Sequence, residues 1–433
     1  MKHLIRRRTP AVVLAALYAL TLTLTAAVPN GKPEDVGLSS ERLQRINDVV
    51  QRYIGAREIA GAVTVVARRG KIAHFEAQGM TDLESKTPMR RDGIFRIASM
   101  SKPVTGVAIL MLIEEGKVRL TDPVSRFIPE FKDTKVAVVK SGPEGTAPTP
   151  AGRGRGGPPP EITLVPAARP ITIRDLLTHT AGLGSGGAGA RETSRIAPRN
   201  ATDNLAAHVP MLGAAPLDFQ PGTEWRYSGL EGIDTLGRIV EIASGLTFDQ
   251  FLRQRIFEPL GMKDTAFGPT DDRKPRVVSL YGRSPEGVLT REETPSWLAS
   301  KTYFSGGAGL WSTPEDYTQF AQMLVNGGQL NGKRLLSPRT VEMMGTNHVG
   351  ELFAASGGGR RGMGFGLTVE VVIDPIAANQ RRSAGSFGWD GAFGTHFWVD
   401  PKEQIAAVLM IQRSVNTALN RDFENAIMQA VVD

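Results

Sequence analysis

The sequence predicts an α+β protein: an antiparallel sheet flanked by helices, with a helical lobe inserted between its strands. Three observations carry this. Strand-like runs lie at both ends of the chain, helix-like runs fill its middle, and one helix beginning near residue 99 is apolar on nearly every face, as a helix buried between layers must be.

Taken in order, residues 38–54 place Leu43, Ile46, Val49, Val50 and Tyr53 at helical spacing behind Ser39 or Ser40 as N-cap. Residues 60–66 and 72–77 are β-like and joined around Arg69-Gly70, a hairpin signal. Residues 95–115 follow as the apolar helix. Residues 140–170 are rich in Gly and Pro and read as a flexible insertion, and a second Gly-rich stretch covers 182–190. Residues 204–265 look helical, with 236–243 and 248–256 as candidates. Thr313 caps another helix to residue 326, with Pro314 at its first position. Residues 364–373, 383–389, 395–399 and 405–411 read as strands, and 423–432 closes the chain as a helix. No internal repeat is present.

Composition narrows the function. With 41% hydrophobic and 22% charged residues in 433, the chain is an ordinary globular protein large enough to bury a core without staples. It has no cysteine, which excludes disulfides, thiolate zinc sites and a cysteine nucleophile. Its histidines form no metal-binding pair, so neither a metal nor another cofactor is expected. Residues 1–27 read as a signal peptide: Arg6-Arg7-Arg8, an apolar run over 11–24, then Thr25-Ala26-Ala27 before Pro29. The protein is therefore expected to be exported, periplasmic or secreted, with one hydrolase domain over residues 35–433; an uncleaved anchor is the alternative. The formal charge of +7 falls to +3 (7 − 4) once Lys2, Arg6, Arg7 and Arg8 leave with the leader. No basic stripe interleaved with aromatics remains, which argues against nucleic acid. No further apolar stretch is long enough for a stable membrane span.

The chemistry centres on Ser99-Met100-Ser101-Lys102, the one Ser-x-x-Lys in the chain. Three residues along a helix put Ser99 and Lys102 on one face. The helix start supplies unpaired N–H groups suited to an oxyanion. The plain reading of such a short pattern is a helix cap beside a solvated lysine. Tyr227-Ser228, after the turn at Pro221-Gly222, could relay a proton or simply pack. Trp389-Asp390-Gly391-Ala392 ends a strand; Gly391 permits close backbone approach and the Ala392 N–H could be an oxyanion donor, or Asp-Gly could mark only a turn. His179 and His396 read as structural. No Gly-x-Ser-x-Gly elbow exists, which argues against an α/β-hydrolase triad.

Together these segments resemble the serine β-lactamase and penicillin-binding-protein superfamily, and within it the class C β-lactamases and the family VIII esterases. The resemblance rests on Phe95 to Lys102, His179-Thr180-Ala181-Gly182-Leu183, Tyr227-Ser228, Gly306-Gly307-Ala308-Gly309-Leu310 and Trp389-Asp390-Gly391, in the family's order, across roughly residues 38–430. It implies a β-lactamase/transpeptidase-like fold. It also implies Ser99 as acylated nucleophile, Lys102 and Tyr227 as the acid–base pair, and the N–H groups of Ser99 and Ala392 as the oxyanion hole. Trp389, Asp390, Gly391 and Ser228 would line the substrate. Two departures stand out. The family's Tyr-x-Asn ends here in Gly229, and Trp389 stands where penicillin-recognising members carry a lysine. Arg226, Lys301 and Arg382 are the candidate replacements for that cation. Losing the cation disfavours an anionic β-lactam, and tryptophan suits an apolar group. The expected activity is carboxylic-ester hydrolysis on a small molecule; a β-lactamase or D-alanyl-D-alanine carboxypeptidase acting on a β-lactam-like or peptide substrate is the alternative. A non-catalytic binder of cell-wall fragments is a third reading.

Overall fold

The computed structural model describes residues 27–140, 161–200, 202–295, 298, 300–356, 360–413 and 418–433. Almost all of the expected leader and residues 141–160 of the expected insertion lie outside this set. Among the described residues, no helix is long and apolar enough to cross a membrane.

The sheet has eight strands. We number them β1 (Gly61–Arg68), β2 (Lys71–Asp82), β3 (Thr87–Pro88), β4 (Met363–Phe365), β5 (Glu370–Val372), β6 (Phe387–Asp390), β7 (His396–Asp400) and β8 (Ile405–Met410). Their order across the sheet is β4-β5-β6-β7-β8-β1-β2-β3, antiparallel throughout. The two ends of the chain thus meet at the β8–β1 pair, as strand runs at both termini predict. The β1–β2 turn is tight: Arg69 and Gly70 both take positive φ, 50° and 75°, the conformation of a two-residue hairpin loop.

Both faces of the central strands are covered, which is why they read as unbroken apolar runs. Along β8, Ile405, Ala407 and Leu409 face one core, while Ala406, Val408 and Met410 face the other. The first core is closed by α1 (Ser40–Gly55), capped by Ser39, and α5 (Leu419–Met428), with Trp398 of β7 fully buried between them and the sheet. The larger core holds α2 (Ser101–Glu114) and α4 (Pro314–Val325), and it continues into the inserted lobe around α3 (Glu231–Ser244). Thr313 caps α4 by accepting from the Asp316 N–H.

Three expectations need correction. Residues 95–115 are not one helix. Phe95–Arg96 pairs with Trp311–Ser312, a single 3-10 turn covers Ala98–Met100, and the α-helix starts at Ser101. Distant β pairing overrides a locally apolar run. Residues 364–373 are likewise a hairpin rather than a strand. The chain reverses between β4 and β5, with Thr368 at φ 70°. Its N–H donates to the Leu177 carbonyl at 2.8 Å, and its side chain abuts α2 where Gly106 lacks a Cβ. Finally, part of the Gly/Pro-rich insertion is ordered: Ile162–Pro166 pairs with Lys135–Val139.

Candidate active site

Ser99 sits in the 3-10 turn at the entrance to α2, half-buried, directly after Ala98 at φ 42°. A positive φ at alanine costs strain that the surrounding packing must hold; Ala98 is buried against Leu280, Leu298 and Phe393. One turn on, Lys102 is fully buried. Its ammonium donates to the carbonyls of Gly229 at 2.6 Å and Gly307 at 2.8 Å, and reaches Ser99 Oγ at 3.3 Å. Carbonyls only accept, so two of the nitrogen's positions are fixed as N–H donors and the third is left facing Ser99.

Tyr227 comes from a loop 128 residues away and donates its phenol to Ser99 Oγ at 2.7 Å. Its ring lies 4.8 Å from the Lys102 ammonium. Two side chains that the sequence singled out, Lys102 and Tyr227, thus converge on the hydroxyl of the third, Ser99.

His179 shapes that loop. At φ 57° it accepts the Arg226 N–H on its carbonyl at 3.1 Å and the Ser228 N–H on Nδ1 at 3.2 Å. Nδ1 as acceptor leaves the proton on Nε2, and burial pushes the imidazole well below its usual value, with Lys102 adding to the effect. The neutral, enclosed ring packs 4.8 Å from the Tyr227 ring and 5.3 Å from Phe365.

The strand end at Trp389 closes the other side. The Trp389 ring is 5.6 Å from Tyr227 and 5.2 Å from Phe365, extending an aromatic wall that includes Trp225 and Phe353. Past it, Gly391 packs on the Ser99 turn. A Cβ there would lie 2.1 Å from Thr395 Oγ1 and 2.4 Å from the Ile97 carbonyl oxygen. Among the described residues, no acceptor takes the Ala392 N–H. Gly391→Ala will push the strand end off the turn and lower kcat by about 10²-fold; steady-state kinetics on a chromogenic ester will check this, and kcat within twofold of the parent would refute it.

Two substrate-lining expectations are corrected. The Ser228 hydroxyl is buried and accepts the Gly232 N–H at 3.1 Å in the first turn of α3. The Asp390 carboxylate turns to the opposite face of the sheet, onto His396 at 2.5 Å and Asn420 at 3.1 Å. His396 is consequently no plain packing residue; it stands between Asp390 and Glu424. The candidate replacement cations have the following surroundings. Arg226 pairs with Glu224 and lies over Phe219; Arg382 is buried among Glu370, Glu424 and Trp398; Lys301 is exposed beside Asn204 and Thr247.

Sequence reasoning missed the carbonyls of Gly229 and Gly307, which no side chain advertises. It also missed Asp234. That carboxylate is fully buried on α3 and accepts from Ser305 Oγ at 2.7 Å, Tyr303 OH at 2.9 Å, the Gly307 N–H at 3.0 Å and Arg199 at 3.1 Å. It tethers the loop that supplies a carbonyl to Lys102.

Comparison with known proteins places the chain in a family. Residues 46–430 match the family described as Beta-lactamase. Protein Rv1367c of Mycobacterium tuberculosis is 35% identical over 84% of this chain and 88% of its own. Esterase EstB of Burkholderia gladioli is 29% identical over 89% of this chain and 94% of its own. The solved structure of EstCE1, described as a hydrolase with promiscuous acyltransferase activity, aligns with TM-score 0.72 at 28% identity, covering 90% of this chain and 99% of that one.

Proposed function

The chain belongs to the beta-lactamase family, with its β-lactamase/transpeptidase-like fold, and from that premise we propose that it hydrolyses carboxylic esters through an acyl-enzyme on Ser99. The observation that carries the reading is the convergence of Tyr227 and Lys102 on Ser99 Oγ beside Trp389, which stands where penicillin-recognising relatives carry a lysine.

In this mechanism the reactive form of the Lys102–Tyr227 pair holds one proton fewer than an ammonium plus a phenol; Ser99 Oγ attacks the ester carbonyl while its proton passes to that pair. The N–H groups of Ser99 and Ala392 hold the oxyanion. The tetrahedral intermediate collapses, the C–O bond to the alcohol breaks, and the alcohol leaves with that proton. A water molecule then gives a proton to the same pair and attacks the acyl-enzyme; collapse releases the acid, and the proton returns to Ser99 Oγ. The aromatic wall of Tyr227, Trp389 and Phe365 favours an apolar acyl or alcohol group. Residues 1–27, read as a leader, support an exported enzyme.

The test is a paired assay of a short-chain p-nitrophenyl ester against a chromogenic cephalosporin, with Ser99→Ala as the blank in both arms. Ester kcat/KM is expected to exceed that for the cephalosporin by about 10²-fold or more, in line with what is lost when a site lacks a charged partner for a substrate carboxylate. Faster cephalosporin turnover would overturn the ester reading in favour of a β-lactamase, and ester turnover retained in Ser99→Ala would remove Ser99 from the mechanism.

A further inference from the structure

Along β6, Trp389 faces the cleft and Asp390 the other side of the sheet, where α5 packs. There Asp390 meets its direct cross-strand neighbour on β7, His396. Imidazole Nδ1 lies 2.5 Å from Asp390 Oδ1, and Nε2 lies 3.2 Å from Glu424 Oε1 on α5. Asn420, also on α5, donates to the second Asp390 oxygen at 3.1 Å. His396 is only 3% exposed. A neutral imidazole carries one N–H, so with a carboxylate at each nitrogen it would have to turn a lone pair toward an anion. The imidazolium instead sets positive charge between the two anions: Nδ1–H donates to Asp390, and Nε2 lies in ion-pair contact with Glu424 without a hydrogen bond of its own.

The surrounding charges agree. Arg382, ahead of β6, lies 3.4 Å from Glu424 and 3.5 Å from Glu370 of β5, and Arg360 pairs with Glu370 at 3.0 Å. With His396 protonated, three cations (His396, Arg382, Arg360) face three carboxylates (Asp390, Glu424, Glu370). Without that proton one anion is unbalanced; Glu424 and Glu370 are largely buried, so that cost is only partly screened, while the half-exposed Asp390 side chain keeps contact with solvent. The neighbour of His396 on β8 is the apolar Leu409.

From this geometry we propose that His396 is a positioning residue, whose imidazolium clamps Asp390 and thereby holds the Trp389-to-Ala392 strand end against the Ser99 turn. The lever is short. Asp390 lies between the Trp389 ring that walls the cleft and Gly391, whose backbone touches the Ile97 carbonyl. The inference rests on the Ser99 ester-hydrolase reading and assigns that reaction a group that never meets substrate. Burial works against the charged ring, but Asp390 and then Glu424 outweigh it and hold the imidazole up to about 9. The clamp is therefore closed below that pH and opens as pH rises through it.

The experiment measures kcat and KM for a p-nitrophenyl ester from pH 6 to 10.5 in the parent protein, His396→Asn and Glu424→Gln, with Ser99→Ala run in parallel. The parent is expected to lose kcat on the alkaline side with a midpoint near 9. Glu424→Gln, lacking one of the two anions that hold the proton, shifts that midpoint to lower pH. His396→Asn lowers kcat about tenfold at pH 7 with KM changed by about twofold at most, and it lacks the limb. A purely structural role would lower Tm and leave the midpoint in place. A midpoint unmoved in Glu424→Gln overturns the proposal, and so does parental kcat with an intact limb in His396→Asn. Should His396→Asn fail to fold, the Glu424→Gln midpoint decides alone. Ester turnover that survives Ser99→Ala counts against the hydrolase reading; Ser99-dependent turnover with an unmoved limb counts against the clamp alone.

Discussion

Lys102→Met will lower ester kcat by about 10³-fold and will also destabilise the protein. The two effects share one cause. The Lys102 ammonium is where three segments of the chain meet: the α2 turn bearing Ser99, the Tyr227 loop through the Gly229 carbonyl, and the loop at 306–309 through the Gly307 carbonyl. Methionine fills the volume but donates nothing. Ser99 loses a proton partner, and two enclosed carbonyls lose their donor, each at a cost of about 1–3 kcal/mol. Tyr227→Phe makes the useful contrast. The phenol donates only to Ser99 Oγ, so its removal should lower kcat while leaving Tm near the parental value. Urea unfolding and single-turnover kinetics on both variants will separate the two contributions. Lys102→Met turning over within tenfold of the parent would mean that Tyr227 alone manages the Ser99 proton.

This double duty also explains what the sequence could and could not reveal. Ser99 and Lys102 share one helical turn, so their spacing alone placed them together. Tyr227 and Trp389 lie far along the chain, and only the ordered set of family segments pointed to their company. The β1–β2 hairpin was legible because Gly70 supplies the positive φ of a tight turn between two β-like runs. The β4–β5 hairpin was not, because its reversal at Thr368 is set by contacts with α2 and Leu177, outside the segment. The start of α2 misled for the same reason: Phe95–Arg96 is held by Trp311–Ser312. His396 looked like packing because it lies within an expected strand. The partners that charge it, Asp390 and Glu424, arrive from a neighbouring strand and the last helix. Side-chain chemistry within a turn is local information, whereas the backbone carbonyls and cross-strand carboxylates that tune it belong to the assembled fold.

Asp234→Ala will show how far that tuning reaches, with an expected loss of about 3–5 kcal/mol in unfolding free energy. The Asp234 carboxylate is fully buried. Removing it leaves Arg199, stacked 4.1 Å from the Tyr303 ring, without its anion, and takes the acceptor from the Tyr303 hydroxyl, the Ser305 hydroxyl and the Gly307 N–H. Breaking one partner out of a buried pair is far costlier than never having had the pair, because the remaining charge stays desolvated. The consequence should not stop at stability. Gly307 binds Asp234 through its N–H and Lys102 through its carbonyl, so a loosened 305–307 loop lets the lysine drift from Ser99. Asp234→Asn keeps an oxygen for Ser305 and Gly307 while its amide faces the donors Arg199 and Tyr303. It should therefore lose much of the stability and retain more of the activity than alanine does. Urea unfolding gives the first quantity. The second-order rate of Ser99 labelling by a fluorophosphonate, measured well below the unfolding midpoint, gives the second. A labelling rate equal to the parental one in Asp234→Ala would confine Asp234 to folding and leave the alignment of Lys102 to Gly229 alone.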